Sequence, residues 1–282
     1  MNRDFPSKSD DPRSANEAGE TVLLLENLHK TFGSKVVHRG VNLTLKRGEI
    51  LALFGGSGSG KSVILRSIIG LEKPDSGRIL FEGRDLTQLK ERELTLVRTK
   101  IGYVFQNGAL FDSLTVEENL SYPLREHTML PEAEIHKKVE EMLGLIDMKG
   151  ANLLLPSELS GGMQKRAGLA RAIILDPKII LFDEPTAGLD PVNTKRLINN
   201  IKKLKSRGIT GIFVTHDIPA ALELSDRIAI LQGGKIAITD TTEGMRKSTD
   251  PLVLSFLSDH SAEDGENHHS SPHVSKGPYN AR

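Results

Sequence analysis

Ile50-Leu51-Ala52-Leu53-Phe54-Gly55-Gly56-Ser57-Gly58-Ser59-Gly60-Lys61-Ser62-Val63-Ile64-Leu65-Arg66-Ser67-Ile68-Ile69 passes from a uniformly apolar run through a glycine-rich loop into a second, largely apolar segment. The first run reads as a strand buried on both faces and the last as a helix. Glycines let such a loop curl until several backbone N–H groups face one anion, and the following helix adds the positive end of its dipole. Gly55, Gly56, Ser57, Gly58, Ser59 and Gly60 therefore read as a phosphate cradle. Lys61 is placed to reach the β- and γ-phosphates of a nucleotide, and Ser62 to offer its hydroxyl to Mg2+. The bland alternative is a glycine-rich turn with a chance Gly-Lys-Ser; the strand–loop–helix context argues against it.

The rest of the chain bounds the use of that nucleotide. At 282 residues and 38% hydrophobic, it can bury a sizeable core. Lys plus Arg and Asp plus Glu each total 37, which removes any strong electrostatic case for nucleic acid as a partner. The absence of cysteine excludes disulfides, thiolate zinc sites and thiol nucleophiles, and fits a reducing compartment. Met1 to Glu20 is polar, so a secretory signal is not expected there. No apolar stretch approaches the ~20 residues needed to cross a bilayer, so a membrane role must come through a partner. Residues 1–20 and 259–282, rich in Ser, Asp, Asn, His, Pro and Gly, are expected to be disordered tails.

Between the tails, Val22 to Leu28, Val36 to Lys46 and Arg78 to Glu82 read as strands, the last after the turn Pro74-Asp75-Ser76-Gly77. Ile101 to Phe105 reads as a buried strand. Ile135, Val139, Met142, Leu143 and Ile146 form one helical stripe starting near Pro131, and a second helix is expected from Ser160 to about Leu175. Ile179 to Phe182 and Ile212 to Val214 have the apolarity of central strands, with a crossover helix marked by Leu197, Ile198, Ile201 and Leu204. The strand at Ile179 runs into Asp183-Glu184, placing two carboxylates where open α/β sheets hold their ligands. Asp183 is suited to hold Mg2+ through its water shell, and Glu184 to orient or deprotonate an attacking water. Ser160 can cap its helix, and Gly161 and Gly162 leave N–H groups exposed for a second anion; an ordinary capped helix is the plainer reading.

Taken together, Lys61, Gln106, Ser160-Gly161-Gly162, Asp183, Glu184, Ala187-Gly188-Leu189-Asp190 and His216 stand in the order of the ATP-binding cassette (ABC) family, and the resemblance covers about Leu23 to Gly244. It implies an α/β fold: a P-loop (RecA-like) ABC ATPase core over residues 21–258, with an antiparallel β subdomain and an α-helical subdomain at about 107–175. It also implies a homodimer around two ATP, each held by the Lys61 loop of one copy and the Ser160 helix of the other. By the same carry-over Gln106 contacts Mg2+ and water, His216 braces the γ-phosphate, Asp190 links the two sites, and Phe32 stacks on adenine. His216 could instead be a strand-end histidine, and Phe32 a core residue. Val63 stands where a hydroxyl residue often follows, and Met163 where glutamine is usual.

Gly60-Lys61-Ser62-Val63, Ile68-Ile69-Gly70-Leu71, Gln106 to Phe111, Tyr122 to Thr128 and Ser160-Gly161-Gly162-Met163 resemble the ATPases of the Mla and Mce lipid-transport systems. That resemblance implies integral membrane permease subunits, a small accessory subunit and a lipid-binding Mce-type protein as partners. It places the chain in the cytoplasm, peripheral on the inner membrane. The segment after Gln106 is where the family engages its permease, although Tyr122 to Thr128 could merely cap helices. A transporter ATPase for another solute, or a soluble ABC protein acting on DNA or ribosomes, are the competing readings. His260, His268, His269 and His273 fit no zinc spacing, and a solvated tail is the simpler account.

Overall fold

The computed structural model describes residues 19–259, which form two compact units, one reaching Thr242 and the other beginning at Glu243. In the first, β1 (Thr21–Phe32) and β2 (Lys35–Lys46) pair antiparallel, with Leu25 opposite Leu43. Their alternating pattern sends Leu23, Leu25, Val41, Leu43 and Leu45 inward. β3 (Ile50–Phe54), buried throughout, leads through the glycine loop into α1 (Lys61–Ile68). β4 (Ser76–Phe81) and β5 (Arg84–Asp85) complete an antiparallel sheet of order β2-β1-β4-β5.

α2 (Glu91–Arg98) and β6 (Ile101–Val104) precede the helices α3 (Val116–His127), α4 (Glu132–Leu145) and α5 (Gly161–Ile173). The chain then returns through β7 (Ile179–Asp183), α6 (Pro191–Lys205), β8 (Gly211–Val214), α7 (Ile218–Leu224), β9 (Arg227–Gln232) and β10 (Lys235–Thr241). The second sheet has the order β10-β9-β3-β8-β7-β6, parallel except for the edge strand β10. α8 (Thr242–Lys247) and α9 (Pro251–Asp259) follow, with Met245 and Val253 buried.

One apolar cluster joins the two sheets around α1: Leu25, Val41 and Leu45 from one, Leu51, Leu53 and Val214 from the other, Ile64, Leu65 and Ile68 from the helix. That packing seats the glycine loop, because both of its flanking elements are anchored in the same core. A separate cluster gathers Leu120 and Leu124 of α3, Ile135, Val139 and Leu143 of α4, and Ala167 and Ala170 of α5.

The expected strands and the helices at Pro131 and Ser160 are all present. α2, α3, α7, α8, α9, β5, β9 and β10 were not among the expectations. α3 carries Pro123 inside it and buries the polar Asn119 and Ser121 beside its apolar stripe of Val116, Leu120 and Leu124. A Thr115–Glu118 capping box starts it, and Asn119 holds it by donating to the carbonyls of Phe111, Leu114 and Thr115 and accepting from Phe111 N. Glu20, placed in the expected N-terminal tail, is held to the end of β2, its O accepting from Arg47 N at 2.8 Å. Asp259, placed in the expected C-terminal tail, ends α9; residues 1–18 and 260–282, the four tail histidines among them, lie outside the described residues.

Candidate functional site

Parallel pairing alone brings the chemistry together. β3, β8, β7 and β6 are consecutive neighbours running the same way, with Leu53 opposite Val214 and Val214 opposite Asp183. Their C-terminal ends therefore emit, side by side, the glycine loop, His216, the Asp183-Glu184 pair and Gln106. Open α/β sheets bind ligands along this edge.

In the glycine loop, Gly55 and Gly60 have φ of 158° and 102°. A Cβ on Gly55 would lie 2.6 Å from Leu231 O, and one on Gly60 2.5 Å from Val37 Cγ1 and 2.7 Å from His38 Nε2, so neither position has room for a side chain. Lys61 Nζ donates to Gly55 O at 2.7 Å and Gly56 O at 3.3 Å. Burial pushes the Lys61 ammonium below its ordinary pKa, while the charges of Glu184 and Asp183 pull it back up. The buried His38 contacts Gly60 O through Nε2 at 3.1 Å, holding the last glycine from beneath.

Asp183 is held at both oxygens: Ser62 Oγ donates to Oδ1 at 2.7 Å and Tyr103 OH to Oδ2 at 2.8 Å. Burial, and then the adjacent Asp183 charge, push the Tyr103 phenol far above its ordinary pKa, so it remains a donor. Tyr103 is a site residue that sequence reading missed. Its signal is a hydroxyl in an otherwise apolar buried strand, where a phenol must find an acceptor. Glu184 sits at φ 50°, a left-handed conformation that costs a non-glycine residue roughly 1 kcal/mol. It is fixed there by Glu184 N donating to Val214 O at 2.9 Å and Ala187 N donating to Glu184 O at 3.2 Å. His216 Nδ1 lies 2.8 Å from Glu184 Oε2, and His216 N donates to the same oxygen at 3.2 Å. The paired carboxylates and His216 are thus one constellation.

Ser160, Gly161, Gly162 and Asp190 form a second group on α5 and the start of α6. Ser160 is exposed and its Oγ accepts from Met163 N at 3.3 Å; nothing lies within 4 Å of where a Cβ on Gly161 would stand. The first N–H groups of a helix have no partner within it. Asp190 caps α6, its Oδ1 accepting from Val192 N and Asn193 N at 2.9 Å each, bonds that hold its carboxyl below the usual range. Phe32 is 42% exposed at the end of β1, outside the core, with Lys30 Nζ 4.8 Å from its ring centroid. Gln106 is exposed two residues beyond β6. Val63 is buried, and Met163 packs against the helical cluster.

The residues fit a magnesium nucleotide. The cradle excludes side chains, and Ser59 Oγ is buried with no hydrogen-bond partner among the described residues, a donor that an anion in the loop would take up. A hydroxyl and a carboxylate, Ser62 and Asp183, are hard oxygen donors of the kind Mg2+ selects.

Comparison with known proteins agrees with this geometry. A family model described as ABC transporter matches residues 38–187. The intermembrane phospholipid transport system ATP-binding protein MlaF of Haemophilus influenzae is 41% identical over 239 residues, 84% of this chain and 90% of that protein. A probable ribonucleotide transport ATP-binding protein, mkl, of Mycobacterium tuberculosis is 42% identical over 249 residues, 87% of this chain and 69% of that one. Among solved structures, a dimeric post-hydrolysis state of an ATP-binding cassette bound to ADP and Pi superposes with a TM-score of 0.72 at 34% identity, covering 78% of this chain and 98% of the other. With a family model over the glycine loop and both carboxylates, and relatives this similar along most of its length, the chain belongs to the ABC transporter family as one of its ATP-binding, ATP-hydrolysing subunits.

Proposed function

We propose that two copies of this chain face each other around two MgATP and drive a separate integral membrane permease that moves phospholipid between membranes. The observation that carries the two-copy arrangement is the exposed N-terminus of α5, where Ser160 and an unhindered Gly161 offer a second anion site on a chain whose strand-end site already has a full phosphate cradle. A structural neighbour solved as a dimer with ADP and Pi supports it.

In this reading the Gly55–Gly60 amides and Lys61 bind the phosphates, Phe32 stacks on the base, and Ser62, Asp183 and Gln106 hold Mg2+. The metal, when bound, neutralises phosphate charge. Glu184 is the general base: His216 and its backbone N–H fix Oε2, so Oε1 is the oxygen that meets the attacking water. Ser160, Gly161, Gly162 and Asp190 serve the nucleotide of the facing copy. Residues 21–258 form the ATPase domain, and the separate apolar cluster of α3, α4 and α5 supports a helical subdomain at about 107–175.

The permease docks, in this account, beside the segment after Gln106, where Phe111 and Tyr122 stand exposed and edge-on at 5.4 Å. No helix among the described residues is long and apolar enough to cross a membrane, which fits a peripheral subunit on the cytoplasmic face of the inner membrane. A small accessory subunit and a lipid-binding Mce-type protein complete the assembly by analogy with the Mla systems.

Complementation tests the shared sites. Lys61→Ala and Ser160→Arg chains should each be inactive alone, and their mixture should regain turnover from the one intact composite site; a mixture as inactive as its parts overturns the arrangement. The phospholipid assignment rests on the MlaF relatives. The equally similar mkl proteins favour a second reading, ribonucleotide transport. Mass spectrometry of ligands retained by the purified complex separates the two.

A further inference from the structure

Lys165, in the second turn of α5, is 9% exposed and has no ion pair among the described residues. Its ammonium donates instead to the backbone carbonyl of Ala187, three residues past Glu184. Burial pushes its pKa down, and the negative charge of Glu184 opposes that shift. A buried ammonium without a carboxylate is unfavourable, and an aliphatic side chain would fill the same space without that penalty. The contact with Ala187 is what distinguishes lysine here.

A second fastening lies one turn earlier. Gly162 packs so closely on Asn193 that a Cβ would stand 2.6 Å from Asn193 Cγ and Oδ1. Asn193 Nδ2 in turn donates to Asp190 Oδ2 at 2.5 Å. The loop 187–190 is therefore tied to α5 at both of its ends, by Lys165 at Ala187 and by Gly162 and Asn193 at Asp190.

We propose that Lys165 is a positioning residue: by holding the Ala187 carbonyl it locks the loop 187–190 onto α5, so that Ser160 and Asp190 meet the facing copy's nucleotide as one preassembled surface. This rests on reading the α5 N-terminus as the half of the site that serves the other copy. At the strand-end site of the same chain the lock adjoins Glu184, whose O accepts from Ala187 N, while the groups that bind MgATP, the glycine loop with Lys61, Ser62 and Asp183, bond to one another and not to Ala187.

The test uses the full chain in the Glu184→Gln background, where the ATP-bound dimer should accumulate. Sedimentation gives the ATP-dependent dimer dissociation constant, and calorimetry at concentrations below dimerisation gives MgATP affinity. Lys165→Met should weaken the dimer by about tenfold, as expected for one charge-assisted hydrogen bond, with nucleotide affinity within about twofold of the parent. Lys165→Arg, which keeps a charged donor, should recover most of the loss. An unaltered dimer in Lys165→Met, no recovery in Lys165→Arg, or an equal loss of MgATP affinity overturns the proposal. If Lys165→Met does not fold, Asn193→Ala releases the other fastening and must show the same split between dimer and nucleotide. Ser160→Arg is the control for the underlying reading: if it leaves dimerisation intact, that reading fails whatever Lys165 does.

Discussion

The strand-end group and the helix-end group differ in how far their own chain completes them. At the strand ends, Asp183 has a hydroxyl on each oxygen, Lys61 caps two loop carbonyls, and Glu184 is held by His216. At the start of α5, Ser160 and Gly161 face solvent, and the backbone donors there have no intrahelical partner. Both groups are built to receive anions, yet only the first is surrounded by charges that can do chemistry. On the proposed function, the contrast teaches that the first is a reaction centre awaiting substrate, whereas the second is a surface awaiting a partner that carries the substrate.

The largest effect that would break this contrast is at Glu184. Glu184→Gln keeps the shape and removes the proposed base, so ATP hydrolysis should fall on the order of 10²-fold or more while MgATP binding by calorimetry persists. Near-parental turnover would move the reaction away from the strand ends. A smaller effect sharpens the same side. Tyr103→Phe deletes one donor to Asp183, and the Mg2+ concentration needed for half-maximal nucleotide binding should rise roughly fivefold, the equivalent of a hydrogen bond worth ~1 kcal/mol. A metal titration indistinguishable from the parent would show that Ser62 alone orients the carboxylate.

The smallest expected effect concerns the floor of the glycine loop. Burial holds the His38 imidazole below its ordinary pKa, with Lys30 adding to the shift and the Gly60 carbonyl opposing it. The folded protein therefore keeps His38 neutral at pH values where the unfolded chain takes up a proton. Stability should fall as pH drops below the ordinary histidine value of about 6.5 and continue falling to the lowered folded value. Thermal unfolding at pH ~7.5 and ~5.5 should accordingly show a larger acid-induced drop for the parent than for His38→Gln. Equal drops would mean that His38 titrates alike in both states.

Much of the fold was legible because its signals are local. The short apolar runs at Ile50, Ile179 and Ile212 have the length and composition of strands buried on both faces, and the helical stripe from Ile135 to Ile146 follows from its own spacing. α3 was not read, since Pro123 and the buried polar residues Asn119 and Ser121 interrupt its stripe of Val116, Leu120 and Leu124, and Asn119 adds bonds across the loop to that packing. Comparison with relatives carries a similar lesson about substrate. Proteins named for phospholipid and for ribonucleotide transport are equally similar to this chain, so the cassette conveys how energy is released more clearly than what is moved.

By itself the sequence determined the residue types of the phosphate loop, the pair Asp183-Glu184 at a strand end, the glycine-led helix at Ser160 and the order of those elements, because each depends on residue type and on spacing within one turn or strand. Only the tertiary structure decided that Tyr103 reaches Asp183, that His38 lies beneath Gly60, that His216 meets Glu184 and that Lys165 grips Ala187. Those pairings join residues 22 to 80 positions apart, and the distances are set by which strands lie side by side and how closely α5 packs against the loop. No local periodicity encodes that adjacency; it arises when the whole sheet closes around α1.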